Sequence, residues 1–136
     1  KDVPRETLIL RPPVLSVGIG CNRGTTAKQI KQFLLKTLET QGLSANSIYQ
    51  FATTQVKKDE EGMLSLAKEM NIPLVFYNNE DLNSVKHIQT PSEIVEKHLG
   101  VKSVCEAAAI LSADNGKLIV TKKKNKDVTV AVAIKK

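Results

Sequence analysis

The segment that most constrains this chain is residues 14–26, VLSVGIGCNRGTT, in which an apolar run passes through Gly18, Gly20 and Gly24 into the start of a helix. Strand, tight turn and helix in that order open a β–α unit. Glycines let a backbone come close to a ligand, and a helix beginning after Thr25 or Thr26 presents unpaired N–H groups and the positive end of its dipole. Arg23 adds a fixed positive charge. The pattern marks Gly18, Gly20, Cys21, Arg23, Gly24 and Thr25 as candidates for binding an anionic group.

The rest of the chain reads as alternating elements. Residues 1–13, ending in Arg11-Pro12-Pro13, lack periodicity and read as an extended lead-in or the end of a linker, so the folded domain is expected over 14–136. The first strand is expected over 14–19. Thr26 and Gln29 match a capping box, Ile30, Phe33, Leu34 and Leu38 share one helical face, and Gly42 supplies a stop. A second strand falls within 47–56, followed by the charged loop 57–62 and a helix over about 61–71 carrying Met63, Leu64, Ala67 and Met70. Leu74-Val75-Phe76-Tyr77 form a short continuous apolar run of the kind buried on both faces of a sheet. Further helices are expected over 80–85, from Thr90-Pro91 to His98, and over 103–113 with Ser103 as N-cap and Glu106 at N3. Residues 117–121 and 127–134 flank the turn Lys124-Asn125-Lys126 as an antiparallel hairpin. Alternation closed by a hairpin predicts an α/β fold, a three-layer α/β/α domain with a mostly parallel sheet and a C-terminal antiparallel hairpin. Ligands of such folds sit beyond the carboxyl ends of the strands, where the glycine loop falls.

Composition excludes several function classes. A chain of 136 residues supports one hydrophobic core. No apolar run approaches the roughly 18 to 20 residues that span a bilayer, and no signal peptide is visible. Cys21 and Cys105 lie far apart with no CxxC partner, which argues against a disulfide framework and against structural zinc. The expectation is a cytoplasmic protein with no membrane contact. His87 and His98 complete no ligand spacing, so no metal site is expected. The net charge of +6 favours an anionic partner, although the basic residues gather in Lys117, Lys122-Lys123-Lys124, Lys126 and Lys135-Lys136. Aromatic residues are 4% of the chain and no nucleic-acid motif accompanies the lysines, so no nucleic-acid partner is expected and the hairpin reads as a solvated face.

The motifs carry chemistry by type and position. The glycines follow GxGxxxG, one residue longer than the dinucleotide fingerprint, and no GK[ST] is present, so NAD and the usual nucleotide triphosphates are set aside. Lys57-Lys58-Asp59-Glu60 follows the second strand and falls on the same edge as the glycine loop. It reads either as a binding and acid–base cluster, with Lys57, Lys58 and Asp59 contacting a ligand and Glu60 moving a proton, or as a solvated loop that starts the next helix. Cys105 reads as core, with a lowered-pKa thiol the other reading. Glu106 fits a capping box with Ser103 equally well as a catalytic carboxylate.

Taken in order, residues 17–25, 57–62, Pro91-Ser92-Glu93, 100–109 and 128–133 resemble the C-terminal domain of the CbiG family of cobalamin biosynthesis, the cobalt-precorrin 5A hydrolases, and are also similar to the stand-alone CobE. The likeness covers nearly the whole chain from about residue 11. It implies a hydrolase that opens the δ-lactone of a cobalt-precorrin and releases acetaldehyde, with cobalt carried by the substrate and no cofactor of the protein's own. The partner it implies is a carboxylated tetrapyrrole, together with the N-terminal domains of a longer parent. On this reading the glycine loop, Arg23, Lys57, Lys58, Asp59 and Ser103 contact the substrate, while Glu60 or Glu106 activates the water that attacks the lactone. The alternative is a tetrapyrrole-binding or carrier module without catalysis, as the CobE likeness allows.

Overall fold

In the computed structural model, which describes residues 13–85 and 104–135, the first strand β1 (Leu15–Cys21) lies in the middle of a five-stranded sheet. Leu15, Val17 and Ile19 face one side and Ser16 and Gly18 the other, and all five are buried. On one flank β1 pairs in parallel with β2 (Ile48–Thr54), which pairs in parallel with β3 (Leu74–Tyr77). On the other flank β5 (Val128–Ile134) runs antiparallel to β1 and to the outer strand β4 (Lys117–Lys124). The order is β3-β2-β1-β5-β4.

Both faces are covered. Helices α1 (Ala27–Thr40) and α2 (Glu61–Met70) pack Ile30, Leu34, Leu38, Met63 and Leu66 against Val17, Ile19, Phe51, Val130 and Val132. Their apolar residues recur at helical spacing, and burial of that stripe stabilises elements this short. On the opposite face lie the short α3 (Asn79–Asn83) and α4 (Val104–Ser112), where Cys105 and the alanines 107–109 meet Ala52, Ala131 and Ala133. The three-layer α/β/α arrangement with its C-terminal hairpin is as the sequence predicts.

Small residues set the depth of that second interface. A Cβ placed on Gly18 would lie 1.8 Å from the carbonyl oxygen of Cys105, so α4 rests directly on the β1 backbone. Gly18 was expected to contact a ligand; its place is inside the sheet–helix interface, closed to solvent.

Three further differences have physical causes. β1 runs to Cys21 rather than stopping at 19, because Gly20 and Cys21 pair with Thr129 and Val128 of the returning hairpin strand. β4 continues through the lysines to Lys124 for the same reason, pairing there with Thr129. The apolar run of β3, expected to be buried on both faces, is half-buried at every position because it forms an end of the sheet. Residues 1–12, the helix expected from Thr90, both histidines and the Ser103 cap lie outside the described residues.

Gly18→Ala is expected to lower unfolding free energy by about 2 to 3 kcal/mol, since a backbone carbonyl, unlike a side-chain tip, cannot rotate away. Urea denaturation followed by far-UV circular dichroism reads this, and an unchanged midpoint would contradict the packing.

Candidate functional site

With β1 extending to Cys21, the loop of the glycine segment is residues 22–25, exposed at 22–24 and buried at Thr25, at the carboxyl end of the parallel strands. This loop is tied on two sides. Toward the hairpin, Asn22 donates its N–H to the Asp127 carbonyl at 2.9 Å, and its Nδ2 donates to Asp127 Oδ1 at 3.1 Å. The hairpin turn is itself fixed by Asn125 Oδ1, which accepts the N–H groups of Asp127 and Val128 at 2.9 and 2.8 Å. Within the loop, Thr25 donates both its N–H and its hydroxyl to the Asn22 carbonyl, at 3.1 and 2.7 Å.

Toward α2, Gly24 donates its N–H to Glu60 Oε2 at 3.0 Å. Gly24 has φ +88°, a conformation L side chains rarely adopt. Gly62, in the first turn of α2, lies so close to the loop that a Cβ there would stand 2.1 Å from the Thr25 carbonyl oxygen. The charged segment 57–62 and the glycine loop thus form one unit across two crossovers.

Two hollows flank the loop. The larger, about 490 Å³, is lined by Arg23, Gly24, Thr25 and Thr26 with Asp59, Glu60, Glu61, Gly62 and Ser65. Glu60 is 4% exposed, and among the described residues its Oε1 has no hydrogen-bond partner. The Arg23 guanidinium stands 3.8 Å from that oxygen and 3.9 Å from Asp59, separations of charge contact rather than of hydrogen bonding. Arg23, expected to grip a carboxylate, already faces two. One cation and three carboxylates line this hollow.

The helix end without a side-chain cap is not the one the sequence marks. α1 carries its own capping box, with Thr26 Oγ1 accepting from Gln29 N–H and Gln29 Oε1 accepting from Thr26 N–H at 2.9 Å. α2 has Glu60 as N-cap with no side-chain capping bond, so its first-turn N–H groups are uncapped beside the larger hollow.

The smaller hollow, about 260 Å³, lies between β1, β2 and the hairpin turn, and is lined by Gly20, Cys21, Thr53, Thr54, Lys57, Val104, Lys124, Asn125, Lys126 and Asp127 among others. Burial pushes the Cys21 thiol pKa up; Lys57 pulls against that rise, Glu60 adds to it and a Thr25 hydrogen bond opposes it. Cys21 therefore senses groups on both sides of the loop.

The structure brings Gly24, Thr25, Arg23, Asp59 and Glu60 to one hollow and Gly20, Cys21 and Lys57 to the other. Lys58 is exposed and lines neither. Glu106 is separated from Glu60 by the thickness of the sheet: fully buried under α4, its carboxylate accepts the Lys122 N–H at 2.8 Å. Its expected role as a carboxylate that meets substrate fails on access. Ser103 lies outside the described residues. Gly62 and the turn 125–127 escaped sequence reasoning as site components, because no local signal tells which loop a given turn will touch. Among the described residues no three His, Cys, Asp or Glu side chains are placed to hold a metal, and no helix is long and apolar enough to cross a membrane.

The chain is thus a three-layer α/β domain whose glycine loop, clamped by a buried carboxylate, lies at the carboxyl end of parallel strands, the edge where open α/β sheets in general take ligands. Residues 15–133 match the family described as cobalamin synthesis G C-terminus, and the chain belongs to that family. It is 41% identical over 127 residues to a cobalt-precorrin-5A hydrolase of Priestia megaterium, covering 93% of this chain and 34% of that protein. A probable cobalt-precorrin-5A hydrolase of Methanocaldococcus jannaschii is 33% identical, over 94% of this chain and 43% of the relative. The chain thus spans well under half the length of these curated hydrolases. The crystal structure of CobE, a protein from the cobalamin biosynthetic pathway, superposes with TM-score 0.79 at 28% identity, covering 91% of this chain and 95% of that one.

Alkylation of Cys21 by iodoacetamide is expected to rise with pH later than for a free thiol, because the thiolate is the nucleophile and burial disfavours it. Lys57→Ala removes a lowering influence and is expected to slow alkylation further at pH 8. A faster reaction in the variant would show that Lys57 does not face the thiol.

Proposed function

We propose that this domain is the C-terminal part of a cobalt-precorrin-5A hydrolase and that the Glu60 hollow takes part in opening the substrate's δ-lactone, with subsequent release of acetaldehyde. Cobalt arrives inside the substrate, and the expected location is the cytoplasm, as two isolated cysteines suit a reducing compartment. The observation that carries the reading is the unengaged Oε1 of a buried glutamate next to an arginine and an uncapped helix N-terminus, in a domain related to named cobalt-precorrin-5A hydrolases.

The chemistry follows from that set. Glu60 Oε1 accepts a hydrogen bond from a water and takes its proton as the water oxygen attacks the lactone carbonyl. The carbonyl π electrons move to oxygen, and the resulting oxyanion is met by Arg23 and the first-turn N–H groups of α2. Collapse re-forms the carbonyl, breaks the acyl–oxygen bond of the ring, and the proton held by Glu60 passes to the departing oxygen, leaving a carboxylic acid and an alcohol. The N–H groups of Asn22, Gly24, Thr25 and Thr26 are already engaged within the protein, so they serve the loop's shape instead of the oxyanion.

A second reading is favoured by one observation: CobE is matched over 95% of its own length, so a chain of this extent also occurs alone in the pathway. On that reading the domain binds a tetrapyrrole without turnover.

Titration of the chain with cobalt-precorrin 5A, with corrinoid absorbance and acetaldehyde followed together, separates the two. Binding with release supports hydrolysis; binding without release supports the carrier. For a hydrolase, Glu60→Gln keeps an oxygen for the Gly24 N–H yet cannot take a proton, and is expected to lower kcat by about 10²- to 10⁴-fold with affinity within a few-fold of the parent.

A further inference from the structure

Charge is divided across the glycine loop. The Glu60 hollow holds three carboxylates against one arginine, a poor place for an acidic ligand to anchor. Among the described residues, the hollow beyond Cys21 holds Lys57, Lys124 and Lys126 against the single carboxylate of Asp127. Among the described residues none of these three lysines is in a salt bridge.

Hydrogen bonding sharpens the contrast. Two acceptors of the smaller hollow are occupied: Asp127 Oδ1 by Asn22 Nδ2 at 3.1 Å, and Asn125 Oδ1 by two backbone N–H groups. The Thr53 hydroxyl is spent on the Ile19 carbonyl at 2.7 Å. Among the described residues the lining carries three ammonium groups and the Asn125 amide nitrogen against one carboxylate, half of which is engaged by Asn22. A lining of net positive charge rich in donors favours an anion. The lysines come from two places, the turn after β2 and the hairpin at the end of β4, and the bonds from Asn22 to Asp127 hold the hairpin against the glycine loop. At about 260 Å³ the cavity admits carboxylate side chains and excludes a whole macrocycle.

We propose that this hollow is the carboxylate anchor of the domain: Lys57, Lys124 and Lys126 grip acidic side chains of the substrate, whose ring lies outside the cavity and across the glycine loop toward Glu60. The hairpin turn, which reads as a solvated surface in the sequence, is thereby a specificity element. The proposal rests on the tetrapyrrole reading above for the identity of the substrate and on the cavity alone for its chemistry.

Two cobalt corrinoids test it, one with its side-chain carboxylates free and the same ring with them amidated, titrated by absorbance at low and moderate salt. The parent chain is expected to prefer the free acid, with an affinity that falls as salt rises. Lys124→Gln with Lys126→Gln is expected to weaken binding of the free acid by about tenfold and to remove most of the preference, whereas Lys68→Gln with Lys117→Gln, an equal loss of charge elsewhere, is expected to change neither. Equal binding of both corrinoids by the parent, or an undiminished preference in the Lys124/Lys126 variant, overturns the proposal. If the parent binds neither corrinoid, the tetrapyrrole reading fails, and titration with the tricarboxylate tricarballylate decides the anchor independently. Movement of the NMR signals of Lys57, Lys124 and Lys126 then sustains a carboxylate site; no movement overturns it.

Discussion

The hydrogen bond from the Gly24 N–H to the buried carboxylate of Glu60 joins the first crossover to the second, and the shape of the site depends on it. A carboxylate removed from water loses much solvation, so it persists where donors and a nearby cation compensate. Glu60 has one backbone donor on Oε2 and Arg23 beside Oε1, which compensates it in part and leaves one buried oxygen without a hydrogen bond among the described residues. Gly24 at positive φ and the close approach of Gly62 to Thr25 make that geometry attainable. The same contact that organises the loop therefore leaves Glu60 Oε1 without a hydrogen bond among the described residues.

The loop also works as a partition. On one side stand carboxylates and an uncapped helix end, on the other three lysines, and Cys21 feels charges from both. On the proposed reading, an acidic substrate anchored on the basic side would place its reacting part toward the acidic side without its own carboxylates crowding Glu60. Anchoring remote from the reacting bond is an economical way to orient a large ligand, because binding energy far from the reacting atoms fixes position.

The sheet is covered on both faces by helices within the described residues, through an aliphatic layer under α1 and α2 and an alanine-rich one under α4. A core closed on two sides suits a unit found in proteins of different lengths. The hydrolases of Priestia megaterium and Methanocaldococcus jannaschii extend well beyond the matched region, while CobE is matched nearly end to end.

Much of the fold was legible because its signals are local. The capping box of Thr26 and Gln29, the apolar stripe of α1 and the paired runs of the hairpin each depend on residues a few positions apart. Positions that depend on a partner far along the chain were read differently from how they fold. Gly18 and Gly20 share a glycine-rich motif with Gly24, yet the first is taken by helix packing and the second by pairing with Thr129. Glu60 and Glu106 are chemically alike in sequence, and the fold sets one in the wall of a hollow and seals the other between its helix and the sheet.

By itself, the sequence determined the alternation of strands and helices, the glycine loop at the carboxyl edge and the family likeness, since periodicity, caps and turns are written in neighbouring residues. Only the tertiary structure decided which glutamate meets a cavity, which helix end is uncapped and that the hairpin lysines sit across from Lys57. Those outcomes are set by contacts between residues 36 to more than 100 positions apart, such as Gly24 with Glu60 and Asn22 with Asp127, and the register that creates them exists once the sheet has formed.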